Sequence, residues 1–261
     1  METTPDTPDD EREFLRQTAA LLGVTLIDVQ IDQLLGFRRW LLDWNTRMNL
    51  TAITDPHAVL TRHILDSLTC LIACDQLSPD QPVRLLDVGS GAGFPGLALA
   101  IARPKWQITL LEATGKKVRF QQTVIDDLNP RNVQTVQGRA EDLAHDPSWR
   151  GKFNVVTARA LAALPIVLEW CQPFVARGGM VLAQKKGDLI AEIAQGNRAA
   201  RILGGEHVER IALPNSLTAT VPDLADDRAI LRVRQRVLTP AIYPRSSAAT
   251  AKKPLGSGPT P

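Results

Sequence analysis

The chain has 261 residues, 44% of them hydrophobic, and sets 30 Lys and Arg against 28 Asp and Glu for a formal net charge of +2. That length and composition suit one large α/β domain with an extension and a sizeable core. The near-balance excludes polycationic character, so any contact with nucleic acid must rest on a local basic surface.

Residues 1–10, rich in Pro, Thr and Asp, are expected to be disordered, and the opening METTPDTPDDEREF has no apolar core of a secretory signal. No run approaches the roughly 18–20 apolar residues that cross a bilayer. A cytoplasmic monomer without a membrane partner is therefore expected. Residues 11–78 read as a helical extension, with Leu15, Leu22, Leu34, Leu35, Leu41 and Leu42 recurring at helical spacing. Asn45 to Thr54 breaks that pattern, and Asp55-Pro56 is a start signal for a helix running to Cys74.

From residue 79 to 240 strands alternate with helices. The expected strands are Val83–Val88, Gln107–Leu111, Val133–Gln137, Phe153–Ala158 and Met180–Gln184. Between them Leu97–Arg103, Lys116–Leu128, Leu161–Phe174 and Asp188–Leu203 read as helices. This alternation predicts a mostly parallel sheet covered on both faces. Glu206–Leu213 and Ala229–Leu238 then read as an antiparallel pair with no helix between them, which makes seven strands in all. Residues 241–261 are expected to form a flexible basic tail. Cys70, Cys74 and Cys171 form no CxxC pair and read as buried reduced thiols, and the four histidines lack metal-ligand spacing.

The segment Val83-Arg-Leu-Leu-Asp87-Val-Gly89-Ser-Gly91-Ala-Gly93-Phe94-Pro95-Gly96 carries the chemistry. A buried strand breaks into glycines that permit positive φ or close approach, then enters a helix: the cofactor cradle of a Rossmann-like sheet. Two fingerprints fit the same letters. Gly91, Gly93 and Gly96 match the dinucleotide pattern, while Asp87 followed by Gly89, Gly91 and Gly93 matches the first motif of S-adenosylmethionine methyltransferases. Three features favour the methyl donor: a carboxylate beside the loop suits an ammonium, Pro95 stiffens a turn where a pyrophosphate would use free N–H groups, and a long helical segment precedes the sheet. Glu112 ends the second strand, where its carboxylate would accept the ribose hydroxyls. Glu141-Asp142, after the third strand, would read the adenine edge or serve as ordinary helix N-terminal acids.

The acceptor is approached by exclusion. The fourth strand carries no (N/D)PP(Y/F) loop for an exocyclic amine, and Cys171 lies inside an apolar helix rather than in a nucleophile's context. What remains is an atom with its own lone pair, such as guanine N7, which needs alignment but no general base. Arg139 and Arg159, just past neighbouring strand ends, would contact phosphate or guanine O6. Lys185-Lys186 adds charge to this edge, and Arg232, Arg234 and Arg236 would form a basic stripe or a solvated strand face. His63 and Asp66, one turn apart, would cap the cleft or anchor the extension. A nicotinamide-dependent oxidoreductase and a non-catalytic cofactor-sensing module stay open on these residues.

The combination of Asn45-Thr-Arg-Met-Asn49-Leu-Thr51, Arg62-His63-x-x-Asp66-Ser67-Leu68, the Asp87–Gly96 segment, Gly115-Lys116-Lys117-x-x-Phe120, Ala158-Arg159-Ala160 and Tyr243-Pro-Arg245 resembles the glucose-inhibited division protein B family, the bacterial small-subunit ribosomal RNA methyltransferases G. The resemblance spans roughly residues 40–245. It implies a class I S-adenosylmethionine-dependent methyltransferase that modifies guanine N7 in the decoding-region loop of 16S ribosomal RNA, naked or within the small ribosomal subunit. It implies cofactor contacts at Gly89, Phe94, Glu112, Ala113, Thr114, Ala140, Glu141 and Arg159, and functional cations at Arg139 and Lys186. The tail departs from the family pattern, with Ala248 and Thr250 where Gly and Pro are usual.

Overall fold

The computed structural model describes residues 7–78 and 80–257; expectations for residues 1–6 and 258–261 lie outside it. Thr7 begins the described chain as the N-cap of α1 (Pro8–Ala20), its hydroxyl and the Asp10 carboxylate forming a reciprocal capping box. The α2 helix (Asp28–Asn45) buries Ile31, Leu34, Leu35, Phe37 and Leu41, a stripe at helical spacing. A helical run follows. It starts as α3 (Pro56–Val59), capped by Asp55, widens into a π turn (Leu60–Leu65), returns to α4 (Asp66–Leu68) and tightens to 3-10 (Thr69–Cys74). The π turn carries Arg62 and His63, and such turns are concentrated at functional sites.

The remaining elements are β1 (Arg84–Val88), α5 (Gly96–Ala102), β2 (Gln107–Glu112), α6 (Gly115–Leu128), β3 (Val133–Gln137), α7 (Ala140–Leu143), β4 (Phe153–Arg159), α8 (Leu164–Cys171), β5 (Val175–Lys185), α9 (Ile190–Ile202), β6 (Glu209–Ala212), α10 (Asn215–Thr220), β7 (Ala229–Arg234) and α11 (Ser247–Lys252). The sheet has seven strands in the order β3-β2-β1-β4-β5-β7-β6, with β7 antiparallel to both neighbours. The order reverses direction between β1 and β4. In an open α/β sheet the ligand crevice opens there, beyond the carboxyl ends of the strands. Apolar residues fill both sides of the sheet, and the extension joins the core on the α5 side through Phe37, Leu60, Ile64 and Leu65.

Five expectations are corrected. The helix expected over 161–174 is shorter, and β5 begins at Val175 rather than Met180. Gly179 permits the early start, because a Cβ there would lie 2.6 Å from the Asn154 carbonyl oxygen of the neighbouring strand. Between β6 and β7 the chain is helical, in α10 and a 3-10 turn at Pro222–Leu224. Leu217, Val221 and Leu224 are buried there at i, i+4 and i+7, a stripe that was present in the sequence. Arg232 is buried and committed to Asp75 and Glu209, so no basic stripe runs along β7.

The described part of the tail, residues 241–257, is packed. Arg245 forks onto the fully buried Glu169 carboxylate at 2.7 and 2.6 Å, its backbone N–H adds a third bond at 2.9 Å, and Leu255 is buried. The three cysteines are buried and free, and burial raises every thiol, Cys74 to about 12. Among the described residues no helix is long and apolar enough to cross a membrane.

Candidate active site

The turn after β1 uses its glycines for conformation: Gly89, Gly91 and Gly93 have φ of 68°, 58° and 90°. Neighbouring elements fix the loop. Glu112 at the end of β2 accepts from the N–H of Gly91 at 2.9 Å and of Thr114 at 2.8 Å. Gln121 of α6 donates to the Ser90 hydroxyl and the Gly91 carbonyl, both at 2.8 Å. Asp87 does not face a cavity. It is fully buried, accepting from the Gly96 N–H at 2.8 Å and the Thr157 hydroxyl at 3.0 Å, and burial pushes its carboxyl up to about 6. The expected ammonium partner is instead the bolt that locks the loop to α5. The N–H groups of Gly91, Gly93, Phe94, Gly96 and Leu97 all have protein acceptors, which removes most of the donors a pyrophosphate would use at this helix entry.

Two cavities open along the carboxyl edge of the sheet. The first, ≈ 360 Å³, is walled by Val88, Gly89, Leu111, Glu112, Ala113, Lys117 and Ala140, with Arg139, Glu141, Leu161, Trp170 and Ser247 completing it. The second, ≈ 460 Å³, is lined by Ile53, Arg62, His63, Asp66, Arg159, Gln184, Lys185, Lys186, Glu192 and Arg228. Both are of small-molecule size, about 300–1,000 Å³. They share Ala160, which follows β4 and sits at φ 51°.

Arg159 anchors the second cavity. Its guanidinium donates to Asp66 at 3.1 Å and to His63 Nδ1 at 3.2 Å, and lies over the Phe94 ring at 5.1 Å. Phe94 in turn stacks on Phe37 and His63, with centroids 4.5 and 5.0 Å away. Because His63 Nδ1 accepts, Nε2 carries the proton and donates to the Thr51 hydroxyl at 2.7 Å. Burial and the neighbouring Arg159 lower the imidazole to about 4. Asp66 also binds Arg228 at 3.0 Å, so His63 and Asp66 both anchor the extension and line the cleft.

Other expected residues divide between the cavities. Glu112, Ala113, Gly89, Ala140 and Glu141 line the first; Gly91, Gly93 and Thr114 shape its loops without lining it, and Phe94 supports Arg159 from below. Arg139 belongs to the first cavity and not the second, 65% exposed and 3.4 Å from Glu141. Lys186 lines the second cavity, 67% exposed, with Asp226 at 3.4 Å. Sequence reasoning missed Thr51, Gln184, Arg228 and Ser247, which reach the site from distant elements. Ser247, in α11, donates to the Glu141 carboxylate. Its segment was legible through one signal, the lone acid Glu169 in the apolar run LPIVLEWC, which requires a buried cation.

The first cavity fits S-adenosylmethionine. Glu112 retains lone pairs for a diol, and Val88, Leu111 and Ala113 give apolar walls. The N–H groups of Ala140 and Glu141, in the first turn of α7, have no partner within the helix, and stand beside the Glu141 carboxylate as a donor and acceptor for an adenine edge.

Residues 30–216 match the GidB family, described as rRNA small subunit methyltransferase G. The chain belongs to that family. Relatives named "Ribosomal RNA small subunit methyltransferase G" include those of Alkaliphilus oremlandii, 36% identical over 94% of this chain and 98% of that one, and Roseiflexus sp., 38% identical over 93% and 99%. The relative from Dehalococcoides mccartyi is 41% identical over 90% of this chain and 95% of its own. Family membership makes the fold that of a class I methyltransferase and the cofactor S-adenosylmethionine. The nicotinamide and non-catalytic readings fall with it, in keeping with the occupied N–H groups of the glycine turn.

Proposed function

We propose that this chain transfers a methyl group from S-adenosylmethionine to N7 of a guanine in the decoding-region loop of small-subunit 16S ribosomal RNA. One observation carries the choice of N7: the acid–base groups of the second cavity are already engaged. His63 is held at both ring nitrogens, Asp66 is shared by Arg159 and Arg228, and Glu192 takes both the Leu164 N–H and the Lys185 ammonium. No cysteine lines that cavity. Such a site suits an acceptor atom with its own lone pair and no proton to lose. The names of the relatives, small-subunit ribosomal RNA methyltransferases, support the RNA class.

S-adenosylmethionine, when bound, supplies an electrophilic methyl group on a sulfonium. Glu112, Ala113, Ala140 and Glu141 would hold it, with Gly89 giving close access and Gly91, Gly93, Thr114 and Asp87 shaping the loops. Arg159 and Lys186 would offer donors to guanine O6, the acceptor beside N7, and orient the base in line. Arg139, at the rim of the first cavity, would meet an RNA phosphate. Both cavities are built from residues of one chain, which supports a monomer, and an assembled small subunit or its RNA as substrate supports a cytoplasmic location.

Incubation of the protein with labelled S-adenosylmethionine and small subunits lacking the modification tests the proposal. Nuclease digestion and mass spectrometry should yield 7-methylguanosine from the decoding region. A different methylated nucleoside removes the N7 assignment, and absence of transfer removes the RNA substrate.

A further inference from the structure

The two cavities are separated by an irregular segment, residues 160–163, between β4 and α8. Ala160 faces both cavities, and Leu161 lines the first. Leu161 also presses on the glycine turn, since a Cβ on Gly89 would stand 2.6 Å from its Cδ1. A segment with no ladder or helix of its own must be positioned from outside. Two side chains do this. The Lys185 ammonium, at the end of β5, donates to the Ala162 carbonyl at 2.5 Å and to Glu192 Oε1 at 2.7 Å. The same Glu192 oxygen, in the first turn of α9, accepts the Leu164 N–H at 2.6 Å. Leu164 opens α8, whose N-cap Ala163 has no side chain to cap it, so Glu192 supplies the cap from another helix.

We infer that Glu192 and Lys185 are positioning residues, clamping residues 160–164 so that the common wall of the two cavities sets the relative placement of methyl donor and acceptor. The inference rests on the assignment of donor and acceptor to those cavities. Lys185 is then not a free cation for RNA: its charge is spent on a carbonyl and a carboxylate, while Lys186 beside it points to the cavity's exposed rim. A wall held at Ala162 by the ammonium and at Leu164 by the carboxylate oxygen transmits any loosening to both ligands at once.

The test compares the parent with Glu192→Ala, Glu192→Gln and Lys185→Met. Hydrogen exchange of the free proteins is read at Leu164 and its neighbours, S-adenosylhomocysteine binding by calorimetry, and turnover on small subunits at saturating cofactor. Glu192→Ala should accelerate exchange at Leu164, weaken S-adenosylhomocysteine about tenfold and lower kcat by about tenfold to a hundredfold, as expected when reacting groups lose alignment. Glu192→Gln, which keeps an acceptor for Leu164, should recover much of the loss, and Lys185→Met should fall between the two. Unchanged exchange at Leu164 overturns the clamp. So does faster exchange with Kd and kcat both within twofold of the parent, which would leave the pair a structural cap only. If the parent itself bound no S-adenosylhomocysteine, the cofactor assignment would fail and, with it, the positioning role.

Discussion

Arg159, at the carboxyl end of β4, and Asp66, in the helical run of the extension, meet at 3.1 Å across 93 residues of sequence. Asp66 is buried and holds Arg228 on its other oxygen, so one carboxylate joins the extension, the sheet edge and the segment before β7. The second cavity is therefore assembled around an ion-pair hub that fixes Arg159 in place.

Asp66→Ala should leave the mostly buried Arg159 guanidinium without a counter-charge, while Arg228 keeps only Asp226. A loss of about 3–5 kcal/mol is expected for removing one partner of a buried pair. Urea unfolding measures it, and a change within experimental error would show that the hub is solvated.

Arg159→Ala has a different signature. The fold should persist and S-adenosylhomocysteine should still bind, while turnover on small subunits drops by about a hundredfold or more, the usual result of removing an oriented donor at a reacting centre. Full turnover would dismiss Arg159 from the site.

Asp87 and His63 should pull the pH dependence of stability in opposite directions. The Asp87 carboxyl is raised from 3.8 to about 6, so the folded chain holds its proton more tightly. Its contribution is complete below pH 3.8 and is lost as pH rises through 6. The His63 imidazole is lowered from 6.5 to about 4, so its contribution is complete above pH 6.5 and is lost as pH falls towards 4. Each is on the order of 3 kcal/mol, and they nearly offset each other. Unfolding of Asp87→Asn between pH 4 and 7 should show stability rising with pH relative to the parent, and His63→Gln should show the reverse. Slopes of the same sign in both variants would refute this pairing.

Glu112→Ala should release the N–H groups of Gly91 and Thr114 and remove the expected diol acceptor together. Calorimetry should then show S-adenosylhomocysteine binding weakened by about a hundredfold, in keeping with a charged hydrogen bond of about 1.5–3 kcal/mol. Unchanged affinity would place the ribose elsewhere.

Arg245→Ala should strand the buried Glu169 carboxylate at a cost of about 3–5 kcal/mol and free α11 from the first cavity. Glu169→Leu combined with Arg245→Met should cost less than either single change, because no charge is left unpaired. Thermal melts of Glu169→Leu, Arg245→Met and the double variant decide it, and strict additivity would mean that the two side chains act independently.

The sequence by itself determined the alternating strands and helices, the glycine turn at the sheet's reversal point and the acids that follow β2 and β3. These follow from local periodicity and backbone requirements, which neighbouring letters carry. It also held two signals that went unread: the Leu217, Val221 and Leu224 stripe, and the solitary Glu169. Only the tertiary structure decided which charged groups face a cavity. Asp87, which read as functional, and Arg232, which read as part of a basic stripe or a solvated strand face, are buried and fully partnered, while Arg228 and Ser247 enter the site from segments with no motif. An ion pair or a cap depends on what a side chain meets across the fold: Asp75 lies 157 residues from Arg232, and Glu141 lies 106 from Ser247. The glycine turn illustrates both halves: its letters specify a ligand-binding bend, but its occupied N–H groups, visible only in three dimensions, argue against a pyrophosphate there.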